Sequence, residues 1–170
     1  MFKKIIIFLF TYFCFINLTL SAADNNGSQS ITGLPEIKVK KYSSYKLAEK
    51  RINKAIKLEN KGKIKKSIKL YKEAIKYLLK ENKKRPANPN TLNYLGFTNK
   101  KIKNSEYAEI YYLLGLDIDP NHIDLNKNLG EFYVETNRAD KAKKLLKILK
   151  ACNCEEYVSL KNTIKISNSK

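Results

Sequence analysis

The chain has 170 residues, no tryptophan, six glycines and four prolines, which suits helices and leaves little material for a β-sandwich. Its formal charge is +18, but arginine, whose planar fork best matches phosphate, occurs only at Arg51, Arg85 and Arg138. Lysine, asparagine and isoleucine, the residues with the most A/T-rich codons, are all abundant, so an AT-rich genome accounts for this profile as well as an anionic partner does.

Residues 1–23 read as a secretory leader. Lys3 and Lys4 supply a basic start, "IIIFLFTYFCFI" is an apolar core, and Ser21 and Ala23 fit a signal-peptidase site before Asp24. The apolar run is 12 residues long, short of the roughly 20 needed to span a bilayer. The expectation is an exported, periplasmic protein cleaved near Ala23; the alternative is an N-terminal membrane anchor. Cleavage removes two lysines and no acid, so the formal charge falls from +18 to +16. Nucleic acid is scarce in that compartment and is not an expected partner.

Residues 24–41 are polar, contain Gly27, Gly33 and Pro35, and show no sustained period; they read as a flexible linker. Helical periodicity begins after them and defines a domain over 42–166. Ala48, Ile52, Ala55 and Ile56 share one helix face, and Gly62 breaks the pattern. Ile64, Ile68, Tyr71, Ile75 and Leu78 form the stripe expected to be buried on the second helix, which should stop at Arg85-Pro86.

The next two segments repeat. "NYLGF" and "NLGEF" place Gly130 34 residues after Gly96, and the same interval pairs Leu95 with Leu129, Ala108 with Ala142 and Tyr112 with Leu146. Two helices per 34 residues mark a helical solenoid. At these residues the chain resembles the tetratricopeptide repeat family, of a small exported bacterial type. Residues 89–122 match with Leu95, Gly96, Ala108, Tyr112, Gly115 and Pro120. Residues 123–154 match with Leu129, Gly130, Tyr133, Ala142 and Leu146, and have Cys154 in the place of the proline. Residues 48–81 are a degenerate copy carrying Ala55, Gly62, Ser67, Tyr71 and Ala74 but no Leu-Gly. The copies start 41 residues apart, then 34, so the second helix should run about two turns longer and end in a basic spur.

The fold class expected is all-α, a right-handed solenoid of about three helix pairs. A glycine inside a helix costs about 1 kcal/mol relative to alanine. Gly96 and Gly130 should recover it by letting the paired helices cross closely, with Ala108 and Ala142 as small partners. Tyr71, Tyr112 and Leu146 are expected in the wider gap toward the neighbouring unit. Tyr157, Leu160 and Ile164 form the face of a capping helix over 155–166, with Asn153 as N-cap and Glu156 completing a capping box. Residues 167–170 are a tail.

No catalytic set is visible. His122 is the sole histidine, no glycine-rich phosphate loop occurs, and acidic pairs such as Glu155-Glu156 fall at helix ends. No cofactor and no metal are expected. Tyr111, Tyr112 and Tyr133 occupy packing positions rather than a ligand cage. Cys152 and Cys154 are the cysteines left after cleavage, open to a local bridge, pairing with another chain or thiol chemistry.

The resemblance implies a non-catalytic scaffold that binds another protein or peptide along the inner faces of its first helices. Register places Asn93, Phe97, Lys100, Lys127, Asn128 and Glu131 there, with Ile52 and Ile56 in the corresponding places of the first unit. Two other roles stay open: weak electrostatic contact of the lysines with anionic lipid or cell-wall polymer, and a thiol-active factor using Cys152 and Cys154.

Overall fold

The computed structural model describes residues 43–167. The leader, its cleavage site and the linker expected over 1–41 lie outside the described residues, as do residues 168–170. Among the described residues seven α-helices follow one another: α1 Ser44–Glu59, α2 Ile64–Lys84, α3 Pro89–Lys101, α4 Ser105–Ile118, α5 Ile123–Glu135, α6 Ala139–Leu149 and α7 Glu155–Ser167, with a 3-10 turn at Lys150–Cys152 between the last two. Helices α1/α2, α3/α4 and α5/α6 form three antiparallel hairpins, and α7 packs against both helices of the third. The described residues form an all-α solenoid of stacked helical hairpins. The second helix ends at Lys84, with Arg85 as its C-cap, and is 21 residues long, against 14 for α4, the two extra turns expected from the spacing.

Each hairpin turns in the same way. Gly62, Lys103 and Asn137 have φ of 68°, 65° and 58°, in the left-handed region. The residue after each donates its N–H to the carbonyl five positions back: Lys63 to Leu58, Asn104 to Asn99 and Arg138 to Tyr133, at 2.7–2.9 Å. That is the bond of a Schellman motif, which satisfies carbonyls the helix end leaves open. The repeat is therefore written in the backbone of all three hairpins, although glycine supplies the left-handed residue in only the first.

The loops between hairpins are capped. The Asn88 side chain accepts from the Thr91 N–H at 3.0 Å, with Pro89 at the first turn, where its missing N–H costs nothing. His122 Nδ1 accepts from the Leu125 N–H at 3.3 Å while Nε2 lies 3.1 Å from Asn90 Oδ1, so one tautomer, protonated on Nε2, serves both contacts. Buried Asn126 donates to the carbonyls of Pro120 and His122 at 2.9 and 3.0 Å. Pro120 is itself exposed and contributes through its carbonyl.

Burial follows the repeat register. Ala48, Ile52 and Ala55 are buried on α1 and Leu95 and Gly96 on α3, with Leu129 and Gly130 their equivalents on α5. On α2 the expected stripe is displaced. Ser67, Tyr71, Ala74, Leu78 and Glu81 are buried, while Ile64 is exposed and Ile68 and Ile75 are half-buried. The reason is close helix approach: Ser67 and Ala74 are small and hold the positions of Ala108 and Gly115. Ser67 donates its hydroxyl to the Ile64 carbonyl at 2.8 Å, and Glu81 is met by Arg85 Nε at 2.7 Å, so neither buried polar group lacks a partner.

Two packing expectations are corrected. Tyr112 does not fill only the gap toward the next unit. A Cβ on Gly96 would lie 2.5 Å from its ring atoms, so the ring covers the glycine within its own hairpin, while its other side meets Phe132 at 6.3 Å between centroids. Gly130 is covered by Leu160 of α7, also at 2.5 Å, and Leu146, the register equivalent of Tyr112, is only half-buried. Ala108 and Ala142 are fully buried. The cap also differs in detail: Asn153 has φ 48° and closes the 3-10 turn, a left-handed conformation that an N-cap does not use, and α7 runs through Ser167. Leu160 and Ile164 are buried and Tyr157 is half-buried against the same cluster.

Candidate binding groove

Helices α1, α3 and α5 line up so that one face of each contributes to a cleft of about 360 Å³. Tyr45, Ile52, Asn53 and Ile56 come from α1; Asn90, Asn93, Tyr94 and Phe97 from α3; Asp124, Lys127 and Asn128 from α5. The repeat intervals arrange them in rows that cross the helices. Ile52, Asn93 and Lys127 form one row, Asn53, Tyr94 and Asn128 the next, and Ile56, Phe97 and Glu131 a third. Each row begins apolar or neutral and becomes polar toward α5.

The middle of the cleft is an amide pair. Asn128 Nδ2 donates to Asn93 Oδ1 at 2.9 Å, and Asn93 is 7% exposed. A side chain that carries both donors and acceptors can meet the N–H and C=O of an extended backbone without specifying its side chains. Beside it, Phe97 stacks edge-on against Tyr71 at 6.0 Å, and Tyr45 and Tyr94 are 5.6 Å apart. These rings are held from below and present apolar edges to the cleft. Burial, then Tyr94, then Glu49 push the Tyr45 hydroxyl up to about 12. Burial, then Glu49 and Asp124, raise Tyr94 as well. Both hydroxyls are neutral at physiological pH, and Glu49 beside them is ion-paired with Lys46.

The lysines of the groove are paired. Lys127 lies 3.3 Å from Glu131, which also accepts from the Ser159 hydroxyl of α7 at 3.2 Å. Lys100, whose side chain is 13% exposed, lies 3.0 Å from Glu135. Of the six residues expected on the inner face, Asn93, Phe97, Lys127 and Asn128 line the cleft together. Lys100 and Glu131 continue the same faces beyond it and are engaged in these ion pairs. Tyr45, Asn53, Asn90, Tyr94 and Asp124 were not anticipated, although register alone sets Asn53 and Tyr94 in the row of Asn128.

The cysteines sit apart from the groove. Cys152 and Cys154 form a disulfide with Cα atoms 5.2 Å apart, at the joint between α6 and α7. Tyr112 is fully buried behind α3, and its hydroxyl has no hydrogen-bond partner among the described residues. Burial above all, then Glu135 and Glu131, push its pKa far up, so it stays neutral. Among the described residues no group of three His, Cys, Asp or Glu is placed to hold a metal ion, and no helix is long and apolar enough to cross a membrane.

No family model and no curated protein matches the chain. Among solved structures it is similar to the first tetratricopeptide domain of Spaghetti (RPAP3), solved with the HSP90 peptide SRMEEVD. That match is 16% identical, covers 74% of this chain and 96% of that one, and has a TM-score of 0.47. It is also similar to the C-terminal TPR-containing domain of a putative FK506-binding protein of Plasmodium falciparum, at 20% identity over 75% of this chain and 94% of that one, with a TM-score of 0.43.

Proposed function

We propose that the chain is a non-catalytic scaffold of the cell envelope that holds an extended segment of another protein in the groove formed by α1, α3 and α5. The observation that carries this reading is the amide pair Asn93–Asn128, set between apolar Ile52, Ile56 and Phe97 and the donors Tyr45 and Tyr94. Amides suit a peptide backbone, and the apolar row suits one or two non-polar side chains. The lysines that could grip a terminal carboxylate are already held by Glu131 and Glu135. Recognition of an internal segment therefore fits better than recognition of an acidic chain end. Export rests on the three-part leader pattern of residues 1–23.

The test is a photo-crosslinking residue at Asn53, which is exposed and lines the groove, compared with one at Lys76 on the opposite side of the first hairpin. A single partner should be captured from Asn53 and not from Lys76, and Phe97→Ala with Asn128→Ala should abolish it. Equal capture at both positions would overturn the reading. Osmotic shock and N-terminal sequencing test the location: release with a chain starting at Asp24 is expected, and an intact Met1 in the membrane fraction would favour the anchored form.

A further inference from the structure

The outer face of the stack carries a feature that the groove does not use. Tyr107, Ile110, Leu114 and Ile118, at spacings of three and four on α4, are between 42% and 52% exposed. They lie on one side of the helix, opposite buried Ala108, Tyr112 and Gly115, and Tyr111, half-buried, extends the strip beside Tyr107 at 6.4 Å. α4 contains no basic residue, whereas the second helices of the other two hairpins are rich in lysine: eight on α2 and four on α6. On α2, Lys69, Lys72, Lys76 and Lys80 recur every three or four residues and are all exposed; on α6, Lys143, Lys144 and Lys147 are exposed. The acids of α4 are Glu106, Glu109 and Asp117, and Glu109 is neutralised by Arg138, whose Nη1 lies 2.8 Å from both its carboxylate oxygens.

From this arrangement we propose that the outer face docks on the surface of an anionic lipid bilayer. The α4 strip enters the headgroup boundary, and the lysines of α2 and α6 meet lipid phosphates on either side. An exposed apolar strip rimmed by charged residues is the pattern of a contact surface. An apolar face flanked by lysines matches an interface that is hydrocarbon at depth and negatively charged at its surface. A second copy is the poorer occupant, because a two-fold contact through α4 would bring the lysine-rich helices of both copies together. Docking here leaves the groove, on the opposite side, open to its partner, and does not depend on what the groove holds.

The chain has no tryptophan, so a single tryptophan reports one place on the full-length protein. Leu114→Trp probes the strip, and Asn53→Trp on the groove side controls for tethering by any other segment. Both are mixed with phosphatidylcholine vesicles, with and without phosphatidylglycerol, carrying brominated acyl chains. The Leu114→Trp emission should shift to the blue and be quenched only with phosphatidylglycerol. Quenching should vanish when Lys72, Lys76 and Lys80 are changed to glutamate, with the helical circular dichroism unchanged. Asn53→Trp should stay unquenched. Absence of quenching at Leu114→Trp, or equal quenching on neutral vesicles or at both positions, would overturn the proposal. A concentration-dependent blue shift without vesicles would also overturn it, and would make the strip a self-association surface.

Discussion

The ring of Tyr112 lies over Gly96 so closely that a single added methyl group would come within 2.5 Å of two of its carbons. Both residues are buried, and the ring's other side meets Phe132, so it has no space to retreat into. Gly96→Ala should therefore destabilise by about 1–3 kcal/mol, the usual range for overpacking, despite alanine's better helix propensity. Thermal melts followed by circular dichroism measure it. Combining Gly96→Ala with Tyr112→Leu should recover part of the loss, because neighbouring sites do not add. A wild-type melt for Gly96→Ala would mean the two helices do not pack in this register.

Lys103 occupies the left-handed position that Gly62 fills in the first hairpin. A side chain there costs about 1–2 kcal/mol, partly offset because lysine restricts the unfolded chain more than glycine does. Lys103→Gly should raise stability by up to about 1 kcal/mol. A lowered melting temperature would show that the turn between α3 and α4 is held by something other than its Schellman bond.

Tyr112→Phe should leave stability unchanged or raise it. An unmade hydrogen bond at a buried hydroxyl costs about 1–3 kcal/mol, and the Tyr112 hydroxyl has no partner among the described residues. Chemical denaturation resolves the difference. A loss above about 1 kcal/mol would reveal a bond to that hydroxyl.

Glu59 ties the first two hairpins together: Tyr71 donates to its Oε2 at 2.7 Å and Lys101 reaches its Oε1 at 3.0 Å. Burial pushes the carboxyl up, but these two partners outweigh it and hold the pKa below the usual 4.5. The folded value is depressed, so the stabilisation is complete above the unfolded value and is lost as pH falls through the folded one. Wild type should melt higher than Glu59→Gln at neutral pH, and the gap should close as pH drops below 4.5. A gap that persists undiminished in acid would assign the effect to something other than the charge. Tyr71→Phe should cost about 1 kcal/mol at neutral pH.

How much of this was legible follows from which residues carry two constraints at once. Gly96 and Gly130 oppose helix propensity, so their recurrence after 34 residues located the hairpins and most of the inner face, including Asn93, Phe97, Lys127 and Asn128. On α2 hydropathy and register disagreed, and register won. Ser67 and Ala74 are buried because the helix beside them is close, a property of space rather than of polarity, while Ile68 and Ile75 are only half-buried and Ile64 is exposed. The cover on Gly130 comes from Leu160, far along the chain, and no local pattern names which helix supplies it. Asn153 is a common N-cap residue, but also one that tolerates left-handed backbone, and the turn after α6 uses it in that second way. The exposed strip of α4 was hidden for a related reason: an aromatic and aliphatic helix in a repeat reads as core, and only the arrangement of its neighbours shows which side is left uncovered.

Recognition of a peptide segment by the groove, as proposed, works through amides and apolar contacts. The most direct measurement is the affinity of the segment captured through Asn53, titrated calorimetrically into wild type and into Asn93→Ala/Asn128→Ala at low and high salt. A Kd at least about tenfold weaker is expected in the variant, equal to roughly 1.4 kcal/mol, with little change with ionic strength, because amide and apolar contacts carry no net charge for salt to screen. An unchanged Kd in the variant, together with binding that collapses as salt rises, would contradict it and leave the lysine surface as the site of recognition.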